Sequence, residues 1–434
     1  MSRLLGCAFA AAGVGWIGAS APDSGDGTAP AGSPPRTGQD GWQVKGEYGL
    51  YVGFADPGLE VRWLTDEERP GLVRATVDGR VVAEQKTDVG TAHAARLQVR
   101  AAEITLEYGA EPPDGVGAAA ALHRSRIWTE PPAAEVDLTG HDSVFVFGDV
   151  HGEFDRVLWL LRLADLIDAE LRWSGGSAAV AFLGDLFDRG EDVTRLLWFV
   201  YGLEREAQAA GGRVITLLGN HEAMVLTGDL RYLAPKEAMI ADRHGMPYET
   251  MFDPERSILG RWIAAKPGLV RLDDLLLAHG GVSPAYVDYS LQEYQDTLAT
   301  FIAEPLFTRW RDEALLLEFA RETRLDSAQV YRRYDFFFGS ESVLWYRDLV
   351  LSDTLGGHLD AVLERLGART HIVGHTPVPT IRESYGGKLI AADLLDAATE
   401  MLRLTRRRDG GWTREVVRLD GGTVSLDSAS NPDA

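Results

Sequence analysis

The sequence predicts an α/β fold of two packed sheets flanked by helices, preceded by a small all-β domain. Three observations predict it. Short apolar runs recur between residues 143 and 404, and five of them close in a glycine-bearing polar motif. Stretches with apolar residues at helical spacing separate the first of these runs, the texture of an α/β layered chain. Ahead of them, residues 41–132 carry short alternating runs broken by Asp56-Pro57-Gly58 and Asp78-Gly79, which are strand and turn signals.

The elements follow in order. Arg3, the apolar residues 4–18 and Ala19-Ser20-Ala21 have the texture of a cleaved secretory leader, so residues 1–21 read as a signal peptide and the protein as exported. An intact Met1 on cytosolic protein would contradict that expectation. The run is too short to span a bilayer. Leu4-Leu5-Gly6-Cys7 also resembles a lipobox, which would place a lipid anchor on Cys7. Residues 22–40 are Gly, Pro, Ser, Ala, Thr and Asp with few apolar anchors, the composition of a disordered linker. Residues 41–132 are expected to form a small antiparallel β-domain of sandwich type, serving as spacer or docking module. The catalytic domain is expected over 143–420. It opens with a strand over 144–147 and a helix over 154–171, followed by a strand over 178–183 and a helix near 193–209. Further strands are expected over 214–218, 275–278 and 371–373. Residues 283–347, aromatic and charged, read as a helical cap. Residues 389–392, 400–404 and 412–417 read as closing strands of the second sheet, and 421–434 as a disordered tail.

The formal net charge is −22, from 65 acidic against 43 basic residues. A surface of that sign repels nucleic acid and anionic lipid, so any phosphate recognition must come from a local basic pocket. Cys7 is the single cysteine, which excludes a disulfide framework and a thiolate metal site from the body of the chain.

The chemistry lies in G-D-V-H-G at 148–152, G-D-L-F-D-R-G at 184–190, G-N-H-E at 219–222, H-G-G at 279–281 and G-H-T at 374–376. They supply Asp149, His151, Asp185, Asn220, His279 and His375, an oxygen-and-imidazole set large enough for two divalent cations. Hard and borderline ligands without sulfur suit manganese, iron or zinc. A carboxylate has two oxygens, so Asp185 can bridge two ions. Arg189 offers a planar fork for two phosphate oxygens, and Arg347, in S-V-L-W-Y-R, is a second guanidinium candidate. Asp188 and His221 read as an orienting carboxylate and a general acid. Taken singly, each motif is as compatible with an ordinary turn; their joint order behind strand-like runs is what carries the reading.

In that order the motifs resemble the phosphoprotein phosphatase branch of the calcineurin-like metallophosphoesterases, over about residues 143–404. The spacing before the last histidine and the L-W-Y-R segment resemble the Shewanella-like phosphatases of that branch. The resemblance implies a four-layer sandwich. It implies Asp149, His151 and Asp185 on one metal, and Asp185, Asn220, His279 and His375 on the other. It implies Arg189 and Arg347 on phosphate, with Asn220 at the metal–phosphate boundary, and His221 as acid supported by Asp188. The C-terminal strand signature of eukaryotic members is not found in the sequence. The expected activity is hydrolysis of phosphorylated Ser, Thr or Tyr in protein by a metal-bridging hydroxide. A dinucleoside-polyphosphate or small-phosphoester hydrolase is the alternative within the same chemistry, and a non-catalytic binding protein working through its β-domain is the alternative from another class.

Overall fold

The computed structural model describes residues 49–113, 122–304, 318, 321 and 326–426. The expected leader, linker and tail end (427–434), and most of the middle of the cap, lie outside the described residues. Among the described residues no helix is long and apolar enough to cross a membrane.

The N-terminal region is one antiparallel sheet of β1 (Tyr51–Ala55), β2 (Gly58–Val77), β3 (Arg80–Leu97), β4 (Glu103–Ala110) and β5 (His123–Trp128). Its order is β1-β2-β4-β5, with β3 on β2. The expected sandwich is therefore corrected: no second sheet packs on it among the described residues. The physical reason is that the apolar face is already covered. Val61, Trp63, Val73 and Ile104 share one buried cluster with Trp198, Tyr201 and Trp262 of the catalytic region, and a covered face needs no partner sheet. Hydrogen bonds fasten the seam. The Phe54 N–H donates to Arg256 O at 2.7 Å, the Trp198 indole to Leu50 O at 2.9 Å, and the Trp128 N–H to the Tyr201 hydroxyl at 2.7 Å.

Two six-stranded sheets follow. The first holds β7 (Ser143–Phe147), β8 (Ala179–Phe182), β9 (Arg213–Thr216), β15 (Glu400–Arg406), β16 (Trp412–Arg418) and β17 (Thr423–Ser425), in the order β17-β16-β15-β7-β8-β9. The second holds β6 (Asp137–Leu138), β10 (Leu269–Leu272), β11 (Leu275–Ala278), β12 (Thr370–Val373), β13 (Arg382–Ser384) and β14 (Leu389–Ala391), in the order β13-β14-β12-β11-β10-β6. Residues 400–404 and 412–417 thus extend the first sheet, not the second: Leu402 lies opposite Val146 and Leu404 opposite Val144. Alternation fixes which face of a strand is buried, not which sheet it joins. Both sheets bury that face together, with Val144, Val146 and Leu402 against Leu277, Ile372 and Ile390.

Helices cover the outer faces. α1 (Phe154–Leu163) and α2 (Val193–Ala209) lie on the first sheet, where Val157, Leu161 and Leu196 bury with Phe145 and Phe182. Next in the chain come α3 (Asn220–Leu226), α4 (Pro235–His244), α5 (Tyr248–Met251) and α6 (Ile258–Ala264). The cap contributes α7 (Leu291–Ile302) and α8 (Ser327–Phe338), joined by stacking of Tyr294 on Phe336 at 4.9 Å. α9 (Asp348–Leu351) and α10 (Gly356–Leu366) cover the second sheet, where Leu359 and Leu363 meet Val373 and Leu389. The result is the layered α/β arrangement with an N-terminal β region. β7, β8 and β9 run parallel, as do β11, β12 and β14. Their carboxyl ends therefore deliver six loops to one rim.

α4 carries a buried acid whose charge works against the fold. The Glu237 carboxylate accepts the Thr194 N–H at 3.1 Å, yet burial pushes its pKa up to about 7. With the folded pKa above the unfolded one, its contribution is fully present below the unfolded pKa and is lost as pH rises through about 7. The cost of holding it ionised is of the order of 3 kcal/mol. Glu237→Gln should therefore match the parent protein in thermal midpoint at pH 4 and exceed it by a few degrees at pH 8. A midpoint difference independent of pH would contradict this origin.

Candidate metal centre

All six parallel-strand loops end in a polar residue at the rim. β7 leads to Asp149 and His151, β8 to Asp185, β9 to Asn220 and His221, β11 to His279, β12 to His375, and β14 to Asp393; all are buried. The bends are severe. His151, Asp185, Asp188, Arg189 and His375 have φ of 42°, 53°, 68°, 63° and 61°, a left-handed region that side chains with a Cβ adopt at a cost and that clusters at functional sites. Two glycines are required by close approach. A Cβ on Gly219 would lie 2.3 Å from Asp185 Oδ1, and one on Gly374 2.6 Å from Asp149 Oδ1.

Glu222 holds the bends. It is fully buried in the first turn of α3, and its Oε2 accepts the N–H of Asp185 and of Gly219, each at 2.8 Å. Its Oε1 accepts the Leu186 N–H at 2.7 Å. One carboxylate thus ties the second motif to the third. The sequence reading used Glu222 only as a motif letter; a buried acid beside two glycine turns was the available signal.

The imidazoles are fixed in one tautomer. His151 Nδ1 donates to Phe187 O at 2.8 Å and His279 Nδ1 to Leu183 O at 3.0 Å. Their Nε2 lone pairs are therefore aimed inward. Nε2 of His151 and of His375 has no hydrogen-bond partner. His279 Nε2 lies 2.8 Å from Asn220 Oδ1 and 3.3 Å from Asp185 Oδ1, an approach of lone pairs to oxygens that repels unless a cation sits among them. Burial pushes Asp149 and Asp185 well above the usual carboxylate range and His151 down to about 3. An anion so placed requires a countercharge. Two donor groups form around Asp185: His151, Asp185 and His221, and Asp185, His279 and His375. This donor chemistry fits divalent cations.

His221 could stand in the first group by position alone. Its Nδ1 lies 2.6 Å from Asp188 Oδ2, and its Nε2 is 3.4 Å from Arg189 Nη2 and 3.7 Å from Asp185 Oδ2. A guanidinium at that nitrogen disfavours a metal there, whereas Asp149 Oδ2, 4.0 Å from His151 Nε2, is an anion without that neighbour. Burial dominates the pair, taking His221 down to about 3 and Asp188 up to about 7.

Arg189 is exposed, its N–H donating to Tyr232 O at 3.0 Å. Half-buried Arg347 feels the charges of Asp393, Asp149 and Asp185. Its segment is anchored by Val343 O, which accepts the Gly280 N–H at 2.8 Å, and by the Trp345 ring, edge-on to His375 at 5.4 Å. Asp393, at the end of β14, escaped the sequence reading; it is buried beside Asp149, with its pKa pushed up to about 6 by desolvation. The run 389–392 closing in an acid repeats the pattern of the other strands, and that was the missed signal.

Comparison with known proteins gives the following. A family model described as calcineurin-like phosphoesterase matches residues 143–379. Shewanella-like protein phosphatase 2 of Arabidopsis thaliana is 27% identical over 202 residues, 37% of this chain and 52% of that protein. Shewanella-like protein phosphatase 1 of Plasmodium berghei is 26% identical over 243 residues, 55% of this chain and 62% of that protein. The symmetrical bis(5'-nucleosyl)-tetraphosphatase of Aeromonas hydrophila is 33% identical over 143 residues, 32% of this chain and 44% of that protein. The chain thus spans less than two thirds of the length of each of these relatives. A crystal structure titled cold-active protein-tyrosine phosphatase, from a psychrophilic Shewanella, shares the fold with a TM-score of 0.65 and 23% identity, over 87% of this chain and 98% of that one.

Glu222 generates a prediction. In Glu222→Gln one acceptor oxygen becomes an NH2 facing N–H donors, so at least one buried donor loses its partner, at about 1–3 kcal/mol each. Denaturant unfolding should show a loss of at least about 2 kcal/mol. A midpoint equal to that of the parent would show that the carboxylate does not hold the two turns.

Proposed function

The chain belongs to the calcineurin-like phosphoesterase family, which uses divalent metal ions, and from that premise we propose that it is a phosphoprotein phosphatase hydrolysing phosphomonoesters of Ser, Thr or Tyr. One observation carries the reading. Asp188 and the Arg189 guanidinium meet the two nitrogens of one imidazole, Asp188 at His221 Nδ1 (2.6 Å) and Arg189 at Nε2 (3.4 Å), beside the Asp185 shared by both donor groups. A phosphoester needs those three things together: a proton for the leaving oxygen, a cation for the phosphoryl oxygens and a metal centre next to both.

We assign Asp149, His151 and Asp185 to one ion and Asp185, Asn220, His279 and His375 to a second, with manganese, iron or zinc the fitting metals. When bound, such ions neutralise phosphoryl charge and acidify water. The rest falls to the chain's own groups. Arg189 and Arg347 hold the phosphoryl oxygens. Asp188 accepts from His221 Nδ1, which leaves Nε2 directed at the leaving oxygen. In the free site burial keeps the imidazole neutral; an arriving phosphate dianion opposes the Arg189 charge and favours the imidazolium that the acid role requires. The relatives' names, two of protein phosphatases and one of a dinucleoside-tetraphosphate hydrolase, support phosphate-ester chemistry in this site and weight it toward protein.

His221→Asn tests the acid. A serine alkoxide is a strong base and needs the proton, whereas nitrophenolate leaves with little help. The variant should lose about 100-fold or more in kcat/KM on phosphoserine peptide and clearly less on nitrophenyl phosphate. Equal losses would remove the acid role. Faster turnover of diadenosine tetraphosphate than of any phosphopeptide by the parent protein would replace the protein-phosphatase reading with the dinucleotide one.

A further inference from the structure

Tyr232 is used by none of the roles above. It sits on the loop between α3 and α4, 45% exposed, beside the residues that would meet the leaving group. Its ring centroid is 5.2 Å from that of His221, and the Arg189 guanidinium carbon lies 5.8 Å from the ring. The ring is held there. Tyr232 O accepts the Arg189 N–H at 3.0 Å, the Leu233 N–H donates to Leu230 O at 3.1 Å, and the Asp229 N–H donates to Met224 O at 2.8 Å. Arg231 is paired with Asp229 through Nε at 2.9 Å, which fixes the loop from its other side. An exposed ring on a fixed loop loses little freedom on binding.

We propose that Tyr232 is a specificity-determining residue: an aromatic shelf, on the His221 side of the phosphate, that stacks against a flat leaving group and favours aryl over alkyl phosphates. This role for Tyr232 rests on the phosphatase reading, because it is the acid that marks the leaving-group side. A group joined to the oxygen that His221 protonates must lie next to His221, and Tyr232 is an exposed ring beside it. A phenyl ring there gains an offset or edge-to-face contact that a serine methylene does not match in area or geometry. The Arg189 charge near the same ring makes one patch that recognises a phosphate and an attached aromatic together. The chemical class selected is thus a phosphorylated phenol, and in a peptide that is phosphotyrosine.

The test uses the full chain with two peptides of identical sequence, one bearing phosphotyrosine and one phosphoserine, and inorganic phosphate as inhibitor. Tyr232→Ala should lower kcat/KM on the phosphotyrosine peptide about three- to tenfold more than on the phosphoserine peptide, chiefly through KM. Tyr232→Phe should keep the parent ratio, and phosphate inhibition should hardly change. An unchanged ratio in Tyr232→Ala overturns the shelf. So does an equal loss on both peptides with weakened phosphate inhibition, which would make Tyr232 a prop for Arg189. Absence of turnover on either peptide by the parent protein would instead defeat the phosphatase reading, and this inference with it.

Discussion

The structure depends on what surrounds one buried carboxylate. Asp185 Oδ1 accepts the His221 N–H at 2.9 Å and lies 3.3 Å from His279 Nε2, while Oδ2 is 3.7 Å from His221 Nε2 and 3.9 Å from His151 Nε2. Its backbone is left-handed and tied down by Glu222. Desolvation and the nearby Asp149 charge both oppose its ionisation. A fold that spends strained backbone, a second buried acid and two required glycines to keep an anion among inward-facing lone pairs has built a place for positive charge. The parallel strands of both sheets are arranged so that their ends meet there.

Much of this was legible in the sequence because each ligand candidate follows a short apolar run, and parallel strands buried on both faces read as such runs. The residues so found, from Asp149 to His375, are brought to one rim. What failed to show has identifiable causes. Leu402 and Leu404 bury the same face whichever sheet they join, so their pairing with β7 could not be read from alternation. The N-terminal strands carry a sandwich-like pattern, yet their partner is a helical face bearing Trp198 and Trp262, and a one-sided apolar strand does not say what covers it. Asp393 and Glu222 have a positional signal, one closing the run 389–392 and the other closing G-N-H-E, but the burial and partners that give them a role come from tertiary structure.

The joint core also changes how the N-terminal region is understood. Expected as a small β-domain serving as spacer or docking module, it buries the apolar face of its sheet against α2 and α6, and His244 at the end of α4 reaches Gly49 O at 2.7 Å. α4 begins three residues after Tyr232, so the sheet braces, through α4, the loop beside His221 and Arg189.

The central proposal is that one carboxylate, Asp185, would serve two metal ions. The most direct measurement is calorimetric titration of metal-stripped Asp185→Asn and parent protein with Mn2+, read beside turnover of an aryl phosphate. The account predicts about two ions bound by the parent, weakened binding of both in the variant, and turnover lower by several orders of magnitude. A folded variant that keeps either ion at parental affinity, or near-normal turnover, would contradict it.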